Sequence, residues 1–342
     1  MEKIKLGELC KPSAGQIKED SDELIDYIDI SSVDNETKRV TGYQTIAFGE
    51  APSRARKAVK RGSVLVSTVR PNLNAVAMLE DDTPNITVAS TGFCILDCKE
   101  NVNNRFIFNF CKSKAFIDDM VSQATGASYP AVSDKIVRSA LVPNYSYEEQ
   151  CQISEILDRV SAVIGNRKAE LSALDDLVKA RFVKMFGDPI RNTQNRPTTE
   201  FINVVKMQRG FDLPVQDRQQ DGEIPVYGSN GALDHHNVAK ILGGGVITGR
   251  SGTIGKVFYT EGDYWPLNTS LFSVDTHGNN VIYLAYLLQM YDLTRFVEGT
   301  GVPTLNRNMF HNKPIIDVPK EEQILFADFV KQVDKSKFGE II

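Results

Sequence analysis

After Glu149 the chain reads QCQISEILDRVSAVIGNRKAELSALDDLVKARFVKMF, ending at Phe186. Within it Ile153, Leu157, Val160, Ile164, Arg167, Leu171, Leu174, Val178, Arg181 and Met185 follow one another at alternating spacings of four and three. That spacing is the seam of a coiled-coil helix, in which residues three and four apart fall on one stripe. The segment holds no proline, and Gly165 is its one glycine. At a rise of about 1.5 Å per residue it predicts a continuous helix of about 55 Å. A helix of that length is too long for the interior of one ordinary domain. Ile156, Val163 and Leu177 widen its apolar face, so an amphipathic helix lying on a globular core is the competing reading.

The spacer reading gains weight because the chain repeats itself. From Pro130 to Pro303, and from Gln150 to Gln323, the displacement is 173 residues, so within GASYPAVSDKIVRSALVPNYSYEEQ and GVPTLNRNMFHNKPIIDVPKEEQ the stretches from Pro130 and from Pro303 onward correspond without a gap. Upstream, the strand-like SVLVSTV of Ser63 to Val69 is answered by GGGVITG of Gly243 to Gly249. RPNLNAVAMLED is answered by RSGTIGKVFYTEG, and VASTGFCILD by WPLNTSLFSVD. The helical NRFIFNFCKSKAFIDDMVSQA, closed by Gly126, has its counterpart in IYLAYLLQMYDLTRFVEG. A short helix at Lys5 to Leu9, a strand at YIDISSV and the turn DDTPN complete the first half, an α/β pattern. Gly187 and Pro189 in FGDPIRNTQNRP stop the long helix. The organisation is a domain followed by a helix, twice.

With 342 residues, 42% of them hydrophobic and 24% charged, the chain has material for two cores. No apolar run approaches the roughly 18 residues of a membrane span, and MEKIKLGELCKPSAG lacks the apolar centre of a secretion signal, so a cytoplasmic protein is expected. The five cysteines, Cys10, Cys94, Cys98, Cys111 and Cys151, are odd in number and scattered, which favours reduced thiols over a metal site. His235 and His236 have no neighbouring cysteines at zinc spacing and read as a loop feature. A net charge of −5 argues against bulk coating of nucleic acid, although cations gather at SRARKAVKRG (Ser53 to Gly62) and RNTQNRP (Arg191 to Pro197).

VLVSTVRPNLNAVAM, the helix entries YSYEEQ and VPKEEQ, the exit KMFGDP and the duplicated order together resemble the specificity (S) subunit of type I restriction-modification systems, across essentially the whole chain. The resemblance implies an α/β protein with two tandem target recognition domains separated by long coiled-coil helices, related by a pseudo-twofold internal repeat. The implied division is residues 1–146 for the first recognition domain and 147–187 for the central spacer helix, then 188–318 for the second domain and 319–342 for a second spacer helix. It implies a non-catalytic subunit without a cofactor, binding a bipartite site on double-stranded DNA and directing partner methyltransferase subunits and a restriction subunit to it. One departure is the second helix region, from about Lys320 to Ile342, which is roughly half the length of the first.

Enzyme motifs point the same way by failing. In GRSGTIGKV a phosphate-binding loop would need glycine where Arg250 stands and Ser or Thr where Val257 follows the lysine. A nucleotide-dependent transferase using residues 243–256 is therefore the alternative function. No Pro-Pro dipeptide exists to supply the flipped-adenine motif of amino-methyltransferases. Reading bases requires Arg, Lys, Asn, Gln, Ser or Thr on loops beside small residues. Ser67, Thr68, Arg70 and Asn72, with Thr125, Ser128 and Tyr129, meet that need in the first half. Thr248, Arg250, Ser251, Thr253 and Lys256, with Thr300, Asn306 and Arg307, meet it in the second. Arg54, Arg56 and Lys57, and the turn residues Ser229 and Asn230, are further candidates.

The spacer carries its own expectation. The offset of 173 carries Ile153, Leu157 and Val160 to Phe326, Val330 and Val333, and Ile164 to Lys337. In an antiparallel pair these three apolar residues would pack around Leu171, Leu174 and Val178. Ile153, Leu157, Val160 and Ile164 would then be left for a methyltransferase subunit or a second copy of this chain, with Arg167 facing solvent or a partner carboxylate.

Overall fold

The computed structural model describes residues 2–13, 17, 23–299 and 303–338. The chain divides into two compact units, 1–165 and 166–342, and the division falls inside a continuous helix, Tyr147–Phe186. Each unit is of the α/β class.

In the first unit Lys3–Lys5 pairs antiparallel with Leu141–Pro143, so the start of the unit is fastened to its end. A four-stranded sheet runs in the order Gln44–Ala47, Leu24–Ile28, Ile86–Ser90, Ala55–Ala58, its middle pair parallel. A three-stranded antiparallel sheet has Val64–Ser67 between Phe93–Leu96 and Val76–Met78. ITVASTGFCILD is thus two strands in different sheets, turning at Thr91 and Gly92. The expected helix after Asn103 is also two, Asn104–Lys112 and Lys114–Gln123. Ser113 ends the first and accepts the Phe116 N–H as cap of the second, since a serine hydroxyl satisfies an otherwise orphaned donor there. The segment GASYPAVSDKIVRSALVP contains the helix Asp134–Ser139. Leu6, Val64, Cys94, Phe106, Ile107, Cys111 and Val142 lie in one core.

The second unit repeats the frame. Thr198–Glu200 pairs with Pro314–Ile316, displaced from Leu141–Pro143 by the expected 173. Its four-stranded antiparallel sheet runs Lys206–Arg209, Ser270–Asp275, Gly245–Gly249, Val257–Thr260. A smaller sheet orders Gly231–His236, Ile224–Gly228 and Trp265–Pro266. His235 and His236 therefore end a strand, and the His236 ring meets the Trp265 ring edge-on at 5.3 Å. The apolar helix Val281–Tyr291 is mostly buried, and the last helix is Lys320–Phe338; residues 339–342 of the expected second spacer lie outside the described residues.

The helix entries of both units are anchored by an equivalent buried glutamine. In YSYEEQ, Ser146 and Glu149 form a reciprocal cap: the Glu149 carboxylate accepts the Ser146 N–H (2.8 Å), and the Ser146 Oγ accepts the Glu149 N–H (3.3 Å). Gln150, 3% exposed, accepts the Asn103 N–H (2.9 Å) and donates to the Tyr145 carbonyl (2.9 Å). Gln323, 1% exposed, accepts the Asn280 N–H (2.9 Å) and donates to the Val318 carbonyl (2.8 Å). Asn103 and Asn280 are themselves the N-caps of Asn104–Lys112 and Val281–Tyr291. One buried glutamine thus ties the start of the following helix to the cap of a helix within its unit. At the other end of the long helix, Gly187 takes a left-handed φ of 78°, which glycine adopts without strain, and its N–H donates to the Val183 carbonyl.

Candidate nucleic-acid interface

In the first unit the strand Val64–Ser67 runs into RPNLN, which forms a single 3-10 turn, Pro71–Leu73, flanked by left-handed residues Arg70 (φ 49°) and Asn74 (φ 47°). Asn74 is buried and donates from Nδ2 to the Cys111 carbonyl (2.9 Å), while Lys38 Nζ donates to the Asn74 carbonyl (2.5 Å). Asparagine tolerates this conformation; arginine pays roughly 1–2 kcal/mol for it, the kind of strain that collects at functional loops. The backbone of residues 125–132 is laced onto the same turn. Thr125 and Ala131 exchange backbone bonds, the Arg70 N–H donates to the Pro130 carbonyl (2.7 Å), and the Val132 N–H to that of Thr68 (2.9 Å). Arg70, Asn72, Leu73, Thr125, Ser128 and Tyr129 are consequently exposed side by side, with the Arg70 guanidinium 4.8 Å over the Tyr129 ring. Leu73, 47% exposed, belongs to this surface and escaped the sequence reading, which searched for polar side chains.

The second unit builds its loops on the same backbone bonds. The Arg250 N–H donates to the Thr269 carbonyl (2.9 Å) as that of Thr68 does to Gly92 (2.8 Å). The Leu305 N–H donates to the Arg250 carbonyl (2.8 Å) as that of Val132 does to Thr68. Ser251 bridges Thr304 as Val69 bridges Ala131. These pairings put Arg250 where Thr68 stands, and Gly252, left-handed at φ 80°, where Arg70 stands. The expected match of RPNLN to RSGTIGK is therefore two residues out of register, and Arg70 and Arg250 are not equivalent. Around this frame Lys256 is exposed and donates to Asn230 Oδ1 (2.8 Å) at the Ser229–Asn230 turn. Arg250, Ser251, Thr253 and Arg307 are half-buried, and Asn306 caps a 3-10 turn by accepting the Asn308 N–H. Burial first, then the charges of Arg307 and Lys206, hold the His311 pKa below the usual imidazole range, and its Nε2 accepts the Met207 N–H (3.2 Å). Thr300 lies outside the described residues.

Several expected contacts are turned inward. Ser67 donates to the Val69 carbonyl, Thr68 to that of Gly92 and Thr248 to that of Lys256, and all three residues are buried. Their hydroxyls close the loops from within and do not line the surface. The basic run at 53–62 spends charge internally: Arg54 pairs with Asp29 (2.6 Å), Lys57 with Asp134 (2.6 Å), and Arg56 lies over Phe48. Arg196 of the second run donates to the Met185 carbonyl (2.6 Å) and to Glu322 (2.8 Å), joining the end of the long helix to the start of the last. The glycine-rich segment is strand, turn and strand, with Gly245–Gly249 hydrogen-bonded on both sides.

On the long helix, Ile156, Leu157, Val160, Val163 and Ile164 are exposed. Ile153 departs from the expectation: it packs, half-buried, against the first unit's core, because the helix enters directly over that core. In the second unit Val178, Phe182 and Phe186 join Phe326, Val330 and Val333 in one buried cluster, with Leu174 partly buried beside it. The Phe326 ring stands 5.4 Å from Phe182 and 5.6 Å from Phe186, aromatic residues outside the expected seam, and Leu171 is not in the cluster. Arg167 also differs from expectation: it donates to the Lys337 carbonyl (2.6 Å) and pairs with Glu170 (2.7 Å), so it caps the last helix. Lys337 in turn meets Asp175 and Asp334 (2.7 and 3.0 Å).

Tandem α/β units, each leading into a helix through the same buried glutamine and carrying loops on a common backbone frame, define a duplicated recognition scaffold. The chain belongs to the type I restriction modification DNA specificity domain family, which matches residues 1–174 and again 192–340. Over 147 residues it is 25% identical to the type I restriction enzyme HindI specificity subunit of Haemophilus influenzae, a match covering 42% of this chain and only 32% of that protein. Among solved structures, it resembles a chain from a study of complex assembly and conformational transition of the type I R-M system, with 20% identity and a TM-score of 0.57 over 98% of this chain and 90% of that one. It also resembles the S subunit of the type I restriction-modification system from M. genitalium, with 13% identity and a TM-score of 0.59 over 98% and 92%. These structural likenesses establish the fold. No described helix is long and apolar enough to cross a membrane.

Proposed function

We propose that this chain is the DNA-specificity subunit of a type I restriction-modification complex, each unit reading one half of a bipartite duplex site while partner chains carry out methylation and cleavage. The observation that carries the proposal is the pair of loop clusters built on matching backbone bonds but bearing different side chains: Arg70, Asn72, Leu73 and Tyr129 in one unit, Arg250, Lys256, Asn306 and Arg307 in the other. A shared frame suits a shared task, and different side chains suit different sequences. The two half-sites therefore differ in sequence. In this reading the units correspond to recognition domains at 1–146 and 188–318, joined to the helices at 147–187 and 319–342. Ser128, Thr125, Ser251 and Thr253 take positioning contacts to phosphate or base. The exposed stripe Leu157, Val160 and Ile164, with Ile156 and Val163, receives helices of the methyltransferase subunit, because an apolar patch on an otherwise polar helix seeks a partner.

Methylation mapping in cells expressing this chain with its methyltransferase subunit tests the proposal. A methylated bipartite motif with dissimilar halves, lost when the chain is deleted, is the expected result. Methylation that persists unchanged without the chain overturns it.

A further inference from the structure

Cys10 and Cys98, far apart in sequence, face each other across an isolated antiparallel bridge. The flanking bonds run from the Lys11 N–H to the Asp97 carbonyl (2.7 Å) and from the Lys99 N–H to the Leu9 carbonyl (3.0 Å). Bonds on either side and none between make this a non-hydrogen-bonded pair, the arrangement with Cα atoms about 4.5 Å apart and side chains on the same face. That separation lies inside the window of about 4.4–6.8 Å that a disulfide needs. The two thiols are close enough to shift each other's titration. Cys10 is 2% exposed, whereas Cys98 is half-buried and open to a small reagent. The neighbouring Cys98 lowers the Cys10 pKa against the effect of burial, helped by the nearby Arg138 and Lys99 charges, and Cys98 is correspondingly pushed up, so exposure and not acidity selects Cys98 as the first sulfur to react and makes its attack the slow step.

We propose that Cys10 and Cys98 form a reversible disulfide with a low-molecular-weight disulfide as oxidant. The Cys98 thiol gives up its proton and its sulfur attacks one sulfur of the reagent, breaking that S–S bond and releasing one thiol. The Cys10 sulfur then attacks Cys98, breaks the mixed disulfide and releases the second thiol. Two electrons and two protons pass from the protein to the reagent, leaving one new S–S bond. The bond fastens the N-terminal segment to the 97–103 connection, which ends at the Asn103 cap held by Gln150. Cys94 and Cys111, buried with pKa values raised chiefly by desolvation, stay out of the exchange.

The experiment equilibrates the full chain in glutathione mixtures of increasing oxidised fraction, quenches by alkylation and maps peptides without reduction. A Cys10–Cys98 linked peptide is expected, reversed by dithiothreitol and absent from Cys98→Ser. The oxidised protein should melt higher by on the order of 5–10 °C. Full alkylation of both cysteines after oxidation overturns the proposal, as does glutathione stably attached to Cys98, or a link from either residue to Cys94 or Cys111. The wild-type map decides these outcomes even if a serine variant folds poorly.

Discussion

Replacing Arg70 with alanine separates the recognition role of the first unit's loop from its structural one. The guanidinium is exposed, lies 4.8 Å over Tyr129, and has no ion pair among the described residues. An exposed cation–π contact contributes about 0.5–1 kcal/mol, so the fold should barely notice the change. A bidentate contact to a guanine edge is worth about 1–3 kcal/mol, so binding to the site that contains this half should weaken by about 5- to 150-fold. Arg70→Lys keeps the charge but lacks the planar fork, and should show most of the same loss. Arg70→Gly relieves the left-handed backbone, and should leave the protein as stable or slightly more so while binding as poorly as alanine. The assay is fluorescence anisotropy on duplexes in which one half-site at a time is altered, repeated over a salt series. Discrimination should vanish in the first half alone, with the salt slope nearly unchanged. A uniform loss over all duplexes, with the slope reduced by about one, would refute base reading and assign Arg70 to phosphate. Binding that does not change at all removes Arg70 from the interface.

Gln323→Ala should cost about 2–4 kcal/mol in chemical denaturation, because it strands the half-buried Asn280 N–H and the buried Val318 carbonyl; a change under about 0.5 kcal/mol would show that the junction is not a point of stability. Leu157→Glu with Ile164→Glu should abolish assembly with the methyltransferase subunit on size exclusion while circular dichroism stays native. Unaltered assembly would make the stripe ordinary surface, and loss of a self-associated form instead would assign it to a second copy of this chain. His311 has a folded pKa below its usual 6.5, so its contribution to stability is present above 6.5 and is lost as the pH falls through 6.5 toward the folded value. Measured between about pH 5 and pH 7, His311→Gln should flatten that slope, and an unchanged slope would place the proton uptake elsewhere.

Features set by neighbours along the chain were legible in the amino-acid sequence. The long helix and its stop at Gly187 follow from local periodicity and local turn chemistry. The duplication follows because Pro314–Ile316 repeats Leu141–Pro143 at a constant displacement. Loops that expose Arg70, Asn72, Tyr129 and Lys256 were recognisable from their side-chain types.

Tertiary structure alone decided which members of those loops face outward and what each meets. Ser67, Thr68 and Thr248 have the chemistry of base readers, yet strand pairing with residues far along the chain turns their hydroxyls inward. The two-residue shift that sets Gly252 opposite Arg70 appears only in backbone bonds to Gly92 and Thr269, because strings of similar polar residues align equally well in either register. Ile153 and Arg167 lie on the expected helical stripe, but what covers them depends on a core assembled from other segments and on the carbonyl end of another helix. Helical spacing is a property of the chain's own geometry. Burial and partnership belong to contacts between distant segments, and those are fixed only when the whole unit packs.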